Sequence, residues 1–221
     1  MKLDEYPEKT SNIISISKPY SCVSEERLRA NILAVRYVNR EGIVGDIVEV
    51  GVWKGGSMLA MMLAHDDNPT PRVFHLYDTF VGMTEPTNVD TDLNGESAKL
   101  MMQHFPEHRC ISSLEEVKGN IARHTGLIPQ YHEGDILLNT FVPSKIAVLR
   151  LDTDWYESTK HELDTFYESV VPGGIVIIDD YGHWKGCKKA VDEFLAVHPE
   201  IVLETTDYTG RWFYKPLAGP V

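Results

Sequence analysis

Residues 46–63 read DIVEVGVWKGGSMLAMML and contain three parts of different composition. The first part, from Asp46 to Val52, is rich in Val and Ile and favours a short β-strand. Glycines then allow a tight turn, because they adopt backbone conformations that other residues avoid. From Ser57 to Leu63 the chain consists mainly of Leu, Ala and Met, which favour a helix. The stretch therefore predicts a strand, a turn and a helix in that order.

The same alternation continues on both sides of this stretch. After Ser24, the apolar spacing up to residue 42 is typical of a capped amphipathic helix. Residues 145–151 and 174–178 contain the apolar runs 146–149 and 174–178, as expected for central strands that are covered on both faces. The pattern predicts an α/β fold with a doubly wound, mostly parallel sheet and an antiparallel edge strand. The other predicted elements are strands at 73–77, 128–133, 201–205 and 211–215 and helices at 113–124, 157–169 and 188–197.

The length of 221 residues is that of one domain. We expect a single domain over 1–221, with a helical N-terminal segment at 1–42. Residues 79–113 have no strong strand pattern, and so long an irregular connection predicts a lid or binding loop.

Charge and hydropathy exclude several partners. The 33 acidic residues outnumber the 21 basic ones, which gives a net charge of −12. This charge opposes binding to nucleic acid and to anionic lipid. No apolar run is long enough for a membrane span, and the N-terminus lacks the features of a secretory signal. The three widely spaced cysteines fit a reducing compartment, so a cytoplasmic location is expected.

Acidic residues follow two of the predicted central strands. Asp152 and Asp154 end one strand, and Asp179 and Asp180 end the next. Ligands bind beyond the carboxyl ends of parallel strands, and carboxylates that meet there need a cation or shared protons. Helix capping by Asp154 and Asp180 is the alternative, but it does not require acidic pairs on both strands. The pattern predicts a hard-metal site, and Mg²⁺ fits carboxylate ligands better than zinc does.

The glycine turn at 49–57 and Asp78 suggest a nucleoside-bearing cofactor. Backbone amides at such a turn can approach a ligand at a helix N-terminus. Asp78 ends the next strand, where a carboxylate can accept both hydroxyl hydrogens of a ribose. A purely structural turn and a helix-capping Asp78 are the alternatives, and the spacing is not GxGxxG. The glycine turn and Asp78 together are stronger evidence for a cofactor site than either feature alone.

Four stretches resemble the macrocin O-methyltransferase family of bacterial antibiotic biosynthesis, whose members methylate sugar hydroxyls. They are EVGVWKGGS (49–57), YDTFVGM (77–83), LRLDTDWYEST (149–159) and IIDDYGHWKG (177–186), in the family's order. The resemblance runs from residue 24 to the end of the chain. It implies a class I methyltransferase fold of the Rossmann-like type, with S-adenosylmethionine and Mg²⁺ as cofactors.

The resemblance also implies roles for individual residues. The turn at 49–57 would meet the methionine part of the cofactor, with Asp78 at the ribose and Asp135 at the adenine. Asp154 matches the family's proton acceptor, although either Asp152 or Asp154 could be the base, since both end one strand. His183 could line the acceptor pocket, but a surface loop histidine is the commoner case. The implied metal ligands are Asp152, Asp179 and Asp180, and the implied cofactor-binding residues are Glu49, Gly51, Gly55, Gly56, Ser57, Asp78 and Asp135.

The acceptor is predicted to be a small molecule with a hydroxyl group, a sugar or glycoside. The segment before Ser24 looks shorter than in the antibiotic enzymes, so a different sugar, a cyclitol or a phenolic diol stays open. Family members tend to be oligomers, which implies a homo-oligomer. Two other functions stay open: a metal-dependent hydrolase or phosphoryl-transfer enzyme using the acidic cluster, and a non-catalytic member of the fold that binds S-adenosylmethionine.

Overall fold

The computed structural model describes residues 4–67, 69–139 and 141–217 of the chain. Within these ranges seven strands form one sheet. The strands are β1 (Asp46–Val50), β2 (Phe74–Asp78), β3 (Gln130–Glu133), β4 (Ile146–Leu151), β5 (Val170–Ile178), β6 (Glu204–Thr205) and β7 (Arg211–Tyr214).

The sheet has the order β3-β2-β1-β4-β5-β7-β6. Strands β1 to β5 pair in parallel, whereas β7 is antiparallel to β5 and β6 is antiparallel to β7. This topology matches the predicted fold class, including the antiparallel edge. All six residues of β4 are buried, as its largely apolar sequence predicts, and Arg150 is the one charged residue among them.

Helices cover both faces of the sheet. Apolar side chains of α1, α2, α3 and α5 pack on one face, and those of α4, α6 and α7 pack on the other. No helix in the described part of the chain is long and apolar enough to cross a membrane. The helices are α1 (Pro7–Ser17), α2 (Glu25–Arg40), α3 (Gly56–His65), α4 (Ala98–His104), α5 (Leu114–Ala122), α6 (Tyr156–Phe166) and α7 (Lys185–Val197).

Side-chain caps begin two of the helices where the sequence predicts them. The Ser24 hydroxyl accepts a hydrogen bond from the backbone N–H of Arg27 at 3.1 Å. The Ser113 hydroxyl accepts one from the N–H of Glu116 at 3.2 Å. Each cap satisfies an N–H that has no partner within its own helix.

Several elements differ from the prediction, and β5, β6 and α7 begin at Val170, Glu204 and Lys185 instead of residues 174, 201 and 188. Helices α1 and α4 were not predicted as separate elements. Strand β3 begins at Gln130 and not at residue 128, because Pro129 has no N–H to donate and Ile128 is exposed.

The register of the central strands brings their carboxyl ends to one edge. Val50 pairs with Leu151, and Leu151 pairs with Ile178. The next residues continue the ladder: Asp152 N–H donates to the Val50 carbonyl at 2.9 Å, and Asp179 N–H donates to the Leu151 carbonyl at 3.0 Å. The residues that follow β1, β4 and β5 therefore lie side by side.

Candidate active site

A cavity of about 560 Å³ lies at the carboxyl ends of β1, β2, β4 and β5. The irregular segment 79–113 and the loop before α2 complete its wall. Most of the residues that the sequence predicted for the site line this cavity. They are Glu49, Gly51, Ser57, Asp78, Asp135, Asp152, Asp154, Asp179 and Asp180.

Two predicted cofactor residues, Gly55 and Gly56, are not part of the described lining. A Cβ at Gly56 would lie 2.6 Å from the backbone of Tyr20, so this glycine allows the N-terminal segment to pack closely. Gly51 does line the cavity, with φ of +79°. A Cβ there would lie 2.0 Å from the carbonyl oxygen of Asp152, so only glycine fits.

Asp78 braces the glycine turn while it lines the cavity. Its Oδ2 accepts hydrogen bonds from the N–H groups of Val52 at 2.7 Å and Trp53 at 3.1 Å. Its Oδ1 accepts one from the N–H of Phe80 at 2.8 Å. The carboxylate therefore joins the ends of β1 and β2, and it has a structural role independent of any ligand.

Arg150 connects three strand ends. It is fully buried, and its Nη1 donates to Glu49 Oε1 at 2.8 Å and to Asp152 Oδ2 at 2.7 Å. Its Nη2 donates to Asp179 Oδ1. Arg150 was not predicted as a site residue, although an arginine within a largely apolar central strand indicates buried acidic partners.

Arg27 brings a second guanidinium to the site from α2. Its Nη1 donates to Asp179 Oδ2, and its Nε donates to Asp207 Oδ2 at 3.1 Å. Burial alone would lower the pKa of Arg27, but Asp179 and other nearby carboxylates raise it. No local pattern predicts this contact, because Arg27 and Asp179 are 152 positions apart.

Three carboxylates converge beside the two guanidinium groups. Oxygen atoms of Asp152, Asp179 and Asp180 all lie within 4.8 Å of one another. Burial, reinforced by Asp152, raises the pKa of Asp179 to about 6. Burial, reinforced by Asp154, also raises the pKa of Asp180.

This donor set fits a hard divalent cation. Asp180 Oδ2 is buried and, among the residues that the structure describes, has no hydrogen-bond partner. A buried carboxylate in this state requires a proton or a cation. Carboxylate oxygens are the ligands that Mg²⁺ prefers, and among the described residues this cluster contains no thiolate or imidazole of the kind typical of zinc sites.

Asp154 stands on the cavity wall next to two aromatic residues. Its Oδ1 accepts the indole N–H of Trp184 at 2.7 Å. Burial and the neighbouring Asp152 raise the pKa of Asp154. His183 also lines the cavity, so the commoner interpretation of it as a plain surface histidine is wrong.

Glu49 offers a further free acceptor. The side chain is 1% exposed, and its Oε2 has no partner within the described ranges. Burial raises the pKa of Glu49 to about 8, against the opposing effect of Arg150. A ligand that donates a hydrogen bond or carries an ammonium group would satisfy this oxygen.

The sequence profile of the family described as macrocin-O-methyltransferase (TylF) matches residues 13–215. The chain belongs to this family. One relative, the 8-demethyl-8-(2,3-dimethoxy-alpha-L-rhamnosyl)-tetracenomycin-C 4'-O-methyltransferase of Streptomyces olivaceus, is 34% identical over 187 residues, which are 80% of this chain and 68% of the relative. The demethyldecarbamoylnovobiocin O-methyltransferase of Streptomyces niveus is 32% identical over 184 residues, with the same two coverages.

Solved structures agree with the assignment to the macrocin O-methyltransferase family. The O-methyltransferase NovP superposes with a TM-score of 0.75 at 30% identity, covering 89% of this chain and 82% of NovP. The calicheamicin methyltransferase CalS11 shares the fold at 18% identity, with a TM-score of 0.61 over 97% of this chain and 94% of CalS11. The chain is thus an S-adenosylmethionine-dependent O-methyltransferase of class I fold, and the hydrolase and non-catalytic alternatives are set aside.

Proposed function

We propose that the enzyme methylates a hydroxyl group of a sugar or glycoside and uses Mg²⁺ held by Asp152, Asp179 and Asp180. The observation that carries this proposal is the convergence of their oxygens within 4.8 Å, one of them buried and unpartnered within the described chain. By its name, the relative from Streptomyces olivaceus methylates a rhamnosyl derivative, which supports a sugar acceptor.

The proposed chemistry divides between the cofactors and the residues of this chain. S-adenosylmethionine supplies the methyl group, and Mg²⁺ lowers the pKa of a hydroxyl that it binds. Asp154 takes the hydroxyl proton: Trp184 fixes one of its oxygens, and the other oxygen has no hydrogen bond within the described ranges. Asp152 is held by Arg150, which favours metal binding for Asp152 and proton transfer for Asp154.

The cofactor lies along the glycine turn in this proposal. The free oxygen of Glu49 accepts the ammonium group of the methionine part, and Gly51 and Ser57 line the same wall. Asp78 faces the ribose, and Asp135 faces the adenine. In support, the Gly134 N–H donates to the Asp78 carbonyl at 2.9 Å, which keeps the two turns adjacent.

The acceptor lies between the N-terminal segment and the segment 79–113, which acts as a lid. The whole chain is a single domain in this proposal. The lid contributes Gly82, Met83 and Met102 to the cavity wall. Asp90 anchors the lid, because its fully buried side chain accepts a hydrogen bond from the N–H of Tyr156 at 2.8 Å.

A homo-oligomer and a cytoplasmic location stay predictions.

Calorimetric titration tests the cofactor and metal sites before the acceptor is known. The protein is titrated with S-adenosylhomocysteine and, separately, with Mg²⁺. We expect both to bind, and Asp180→Asn to weaken Mg²⁺ binding at least tenfold while S-adenosylhomocysteine affinity is retained. Asp164→Asn is the control, because Asp164 is an exposed carboxylate on α6 paired with Lys160. Equal Mg²⁺ binding by Asp180→Asn and the wild type would show that the ligand set is wrong.

Methyl transfer to a panel of compounds tests the acceptor class. We expect rhamnosides and other glycosides with adjacent free hydroxyls to be methylated in the presence of Mg²⁺. Exclusive methylation of phenolic diols would contradict the sugar assignment but leave the metal site intact.

A further inference from the structure

Glu162 is a buried acid that the proposed reaction does not use. It lies on α6, and its side chain is fully buried. Its Oε1 is 2.7 Å from Thr153 Oγ1, in the loop that carries Asp152 and Asp154. Its Oε2 is buried and has no partner in the parts of the chain that the structure describes.

The hydrogen bonds among Glu162, Thr153 and Ser158 limit where their protons can lie. Ser158 Oγ lies 3.2 Å from the Trp155 carbonyl oxygen and 3.3 Å from the Thr153 carbonyl oxygen. Carbonyl oxygens only accept, so a hydrogen bond to either of them uses the single hydroxyl proton of Ser158. The 2.8 Å contact between Thr153 Oγ1 and Ser158 Oγ then takes the hydroxyl proton of Thr153. An ionised Glu162 would instead accept from Thr153, Ser158 would donate to Thr153, and no proton would remain for either carbonyl oxygen. A protonated Glu162 is the arrangement that places a proton in all three contacts.

We propose that Glu162 is protonated in the folded enzyme and acts as a positioning residue that fixes the Asp152–Asp154 loop through Thr153. The neutral acid donates to Thr153, Thr153 donates to Ser158, and Ser158 donates to the backbone. The positioning role rests on the function proposed above for Asp152 and Asp154, whereas the protonation does not.

The surroundings of Glu162 agree with a neutral acid. Burial raises the pKa of Glu162 well above the ordinary value, and Asp152 and Asp154 add to this effect while the contact with Thr153 opposes it. The titratable groups that face it are Asp152 and Asp154 from the loop and Cys187 from α7. None of these is a cation, so an ionised Glu162 would add an uncompensated charge beside two carboxylates.

Thr153 also connects Glu162 to the glycine turn. Its Cγ2 lies 3.3 Å from the point that a Cβ at Gly51 would occupy. The threonine thus packs against the proposed cofactor loop with its methyl group, while its hydroxyl is held by Glu162 and Ser158. A shift of Thr153 would move the two flanking aspartates relative to that loop.

The pH dependence of stability tests the protonation. Above the ordinary pKa, an unfolded Glu162 loses its proton while the folded one keeps it, so wild-type stability falls as pH rises. Glu162→Gln has no proton to lose, so its folding equilibrium constant relative to the wild type should rise about tenfold per pH unit between roughly pH 5 and 7. Unfolding by urea in EDTA measures both proteins.

Glu157→Gln is the matched control, because Glu157 is exposed on the same helix. The folding equilibrium constant of this variant relative to the wild type should not change with pH. Glu162→Met also cannot ionise and should give the same slope if the glutamine variant does not fold. A flat ratio for the Glu162 variants would overturn the protonation.

Kinetics of the same variants test the positioning role. Glu162→Gln keeps a donor for Thr153 and should retain kcat within about twofold, whereas Glu162→Met has no donor and should lose about 10- to 100-fold. S-adenosylhomocysteine affinity should stay unchanged in both. Normal kcat in Glu162→Met would overturn the positioning role. A loss of kcat in both variants would also overturn it, because the glutamine side chain, which can still donate to Thr153, would then not restore kcat. If the wild type methylates no sugar acceptor, the proposed function fails, and the pH measurement still decides the protonation.

Discussion

Asp154 combines an unusual backbone conformation with a fixed side chain. Its φ of +68° lies in the left-handed region, which asparagine adopts as readily as aspartate. Asp154→Asn therefore keeps the backbone and an acceptor for Trp184, and it replaces the oxygen that is proposed to take the proton with an amide NH2. We expect kcat to fall about 10²- to 10⁴-fold with unchanged affinity for S-adenosylhomocysteine. Single-turnover kinetics and calorimetry measure the two quantities.

The result also decides between the two carboxylates of this strand end. Normal turnover in Asp154→Asn would transfer the role of base to Asp152. The exposed Asp164→Asn serves as the control and should leave both quantities unchanged.

Asp78 has partners on the protein that any cofactor must share. Replacing it with alanine leaves the N–H groups of Val52 and Trp53 without their acceptor and removes the proposed ribose contact. We expect Asp78→Ala to weaken S-adenosylhomocysteine binding by about 1.5–3 kcal/mol, roughly ten- to hundredfold, by calorimetry. Unchanged affinity would remove Asp78 from the cofactor site.

The sequence predicts the acidic residues of the site better than the basic ones. Asp152 and Asp179 follow apolar strands, and parallel strands that end level bring their next residues together. Arg150 could have been recognised, since a charged residue within a buried strand needs partners. Arg27 could not, because its contact with Asp179 depends on how α2 lies against the sheet.

The turn between β1 and α3 depends on one glycine. Gly51→Ala would place a Cβ against the Asp152 carbonyl oxygen and force alanine into a left-handed conformation. The conformation alone costs about 1–2 kcal/mol, and the close contact adds to it. We expect the free energy of unfolding in urea to fall by more than about 2 kcal/mol.

Gly119→Ala is the control, and it should change the free energy of unfolding in the opposite direction. Gly119 lies within α5, and a Cβ there would meet nothing within 4 Å. Alanine should stabilise this helix by about 0.5–1 kcal/mol. Equal effects of the two substitutions would contradict the steric argument for Gly51.

The unpredicted helices show where local sequence is insufficient. Helix α1 contains several Ser and Thr residues, which are weak helix formers, and it is supported by packing of Ile13 and Ile14 on the core. Helix α4 has seven residues, and Ser97 at its N-cap makes no side-chain cap, so neither its length nor its capping distinguishes it from a loop. Strands β4 and β5 were predicted because burial on both faces leaves apolar runs, and β1 because Val and Ile precede a glycine turn.

The buried acids make the stability of the whole metal-free protein dependent on pH. Folding raises the pKa of Asp179 to about 6 and that of Glu49 to about 8. The folded protein therefore holds protons that the unfolded chain has already released, and stability falls as pH rises from about 4 to about 8. We expect the Tm in EDTA to decrease over this range.

Mg²⁺ should reverse that trend by replacing the protons. It binds the ionised carboxylates, so the increase in Tm on adding Mg²⁺ should be larger at about pH 8 than at about pH 6. Thermal unfolding with and without Mg²⁺ measures the difference, and Asp180→Asn should reduce it. An increase independent of pH would contradict the coupling of protons and metal.

The hydrogen bond between Trp184 and Asp154 gives the enzyme a built-in optical reporter. The indole is 5% exposed, and its ring centroid lies 5.1 Å from that of Trp155, which also lines the cavity. An acceptor that donates to the free oxygen of Asp154 changes the polarity and charge beside the indole, which stays bonded to the other oxygen. The intensity and wavelength of tryptophan emission should then shift on binding. Candidate sugars can be ranked by fluorescence titration alone, without a label and before any methylated product has been detected.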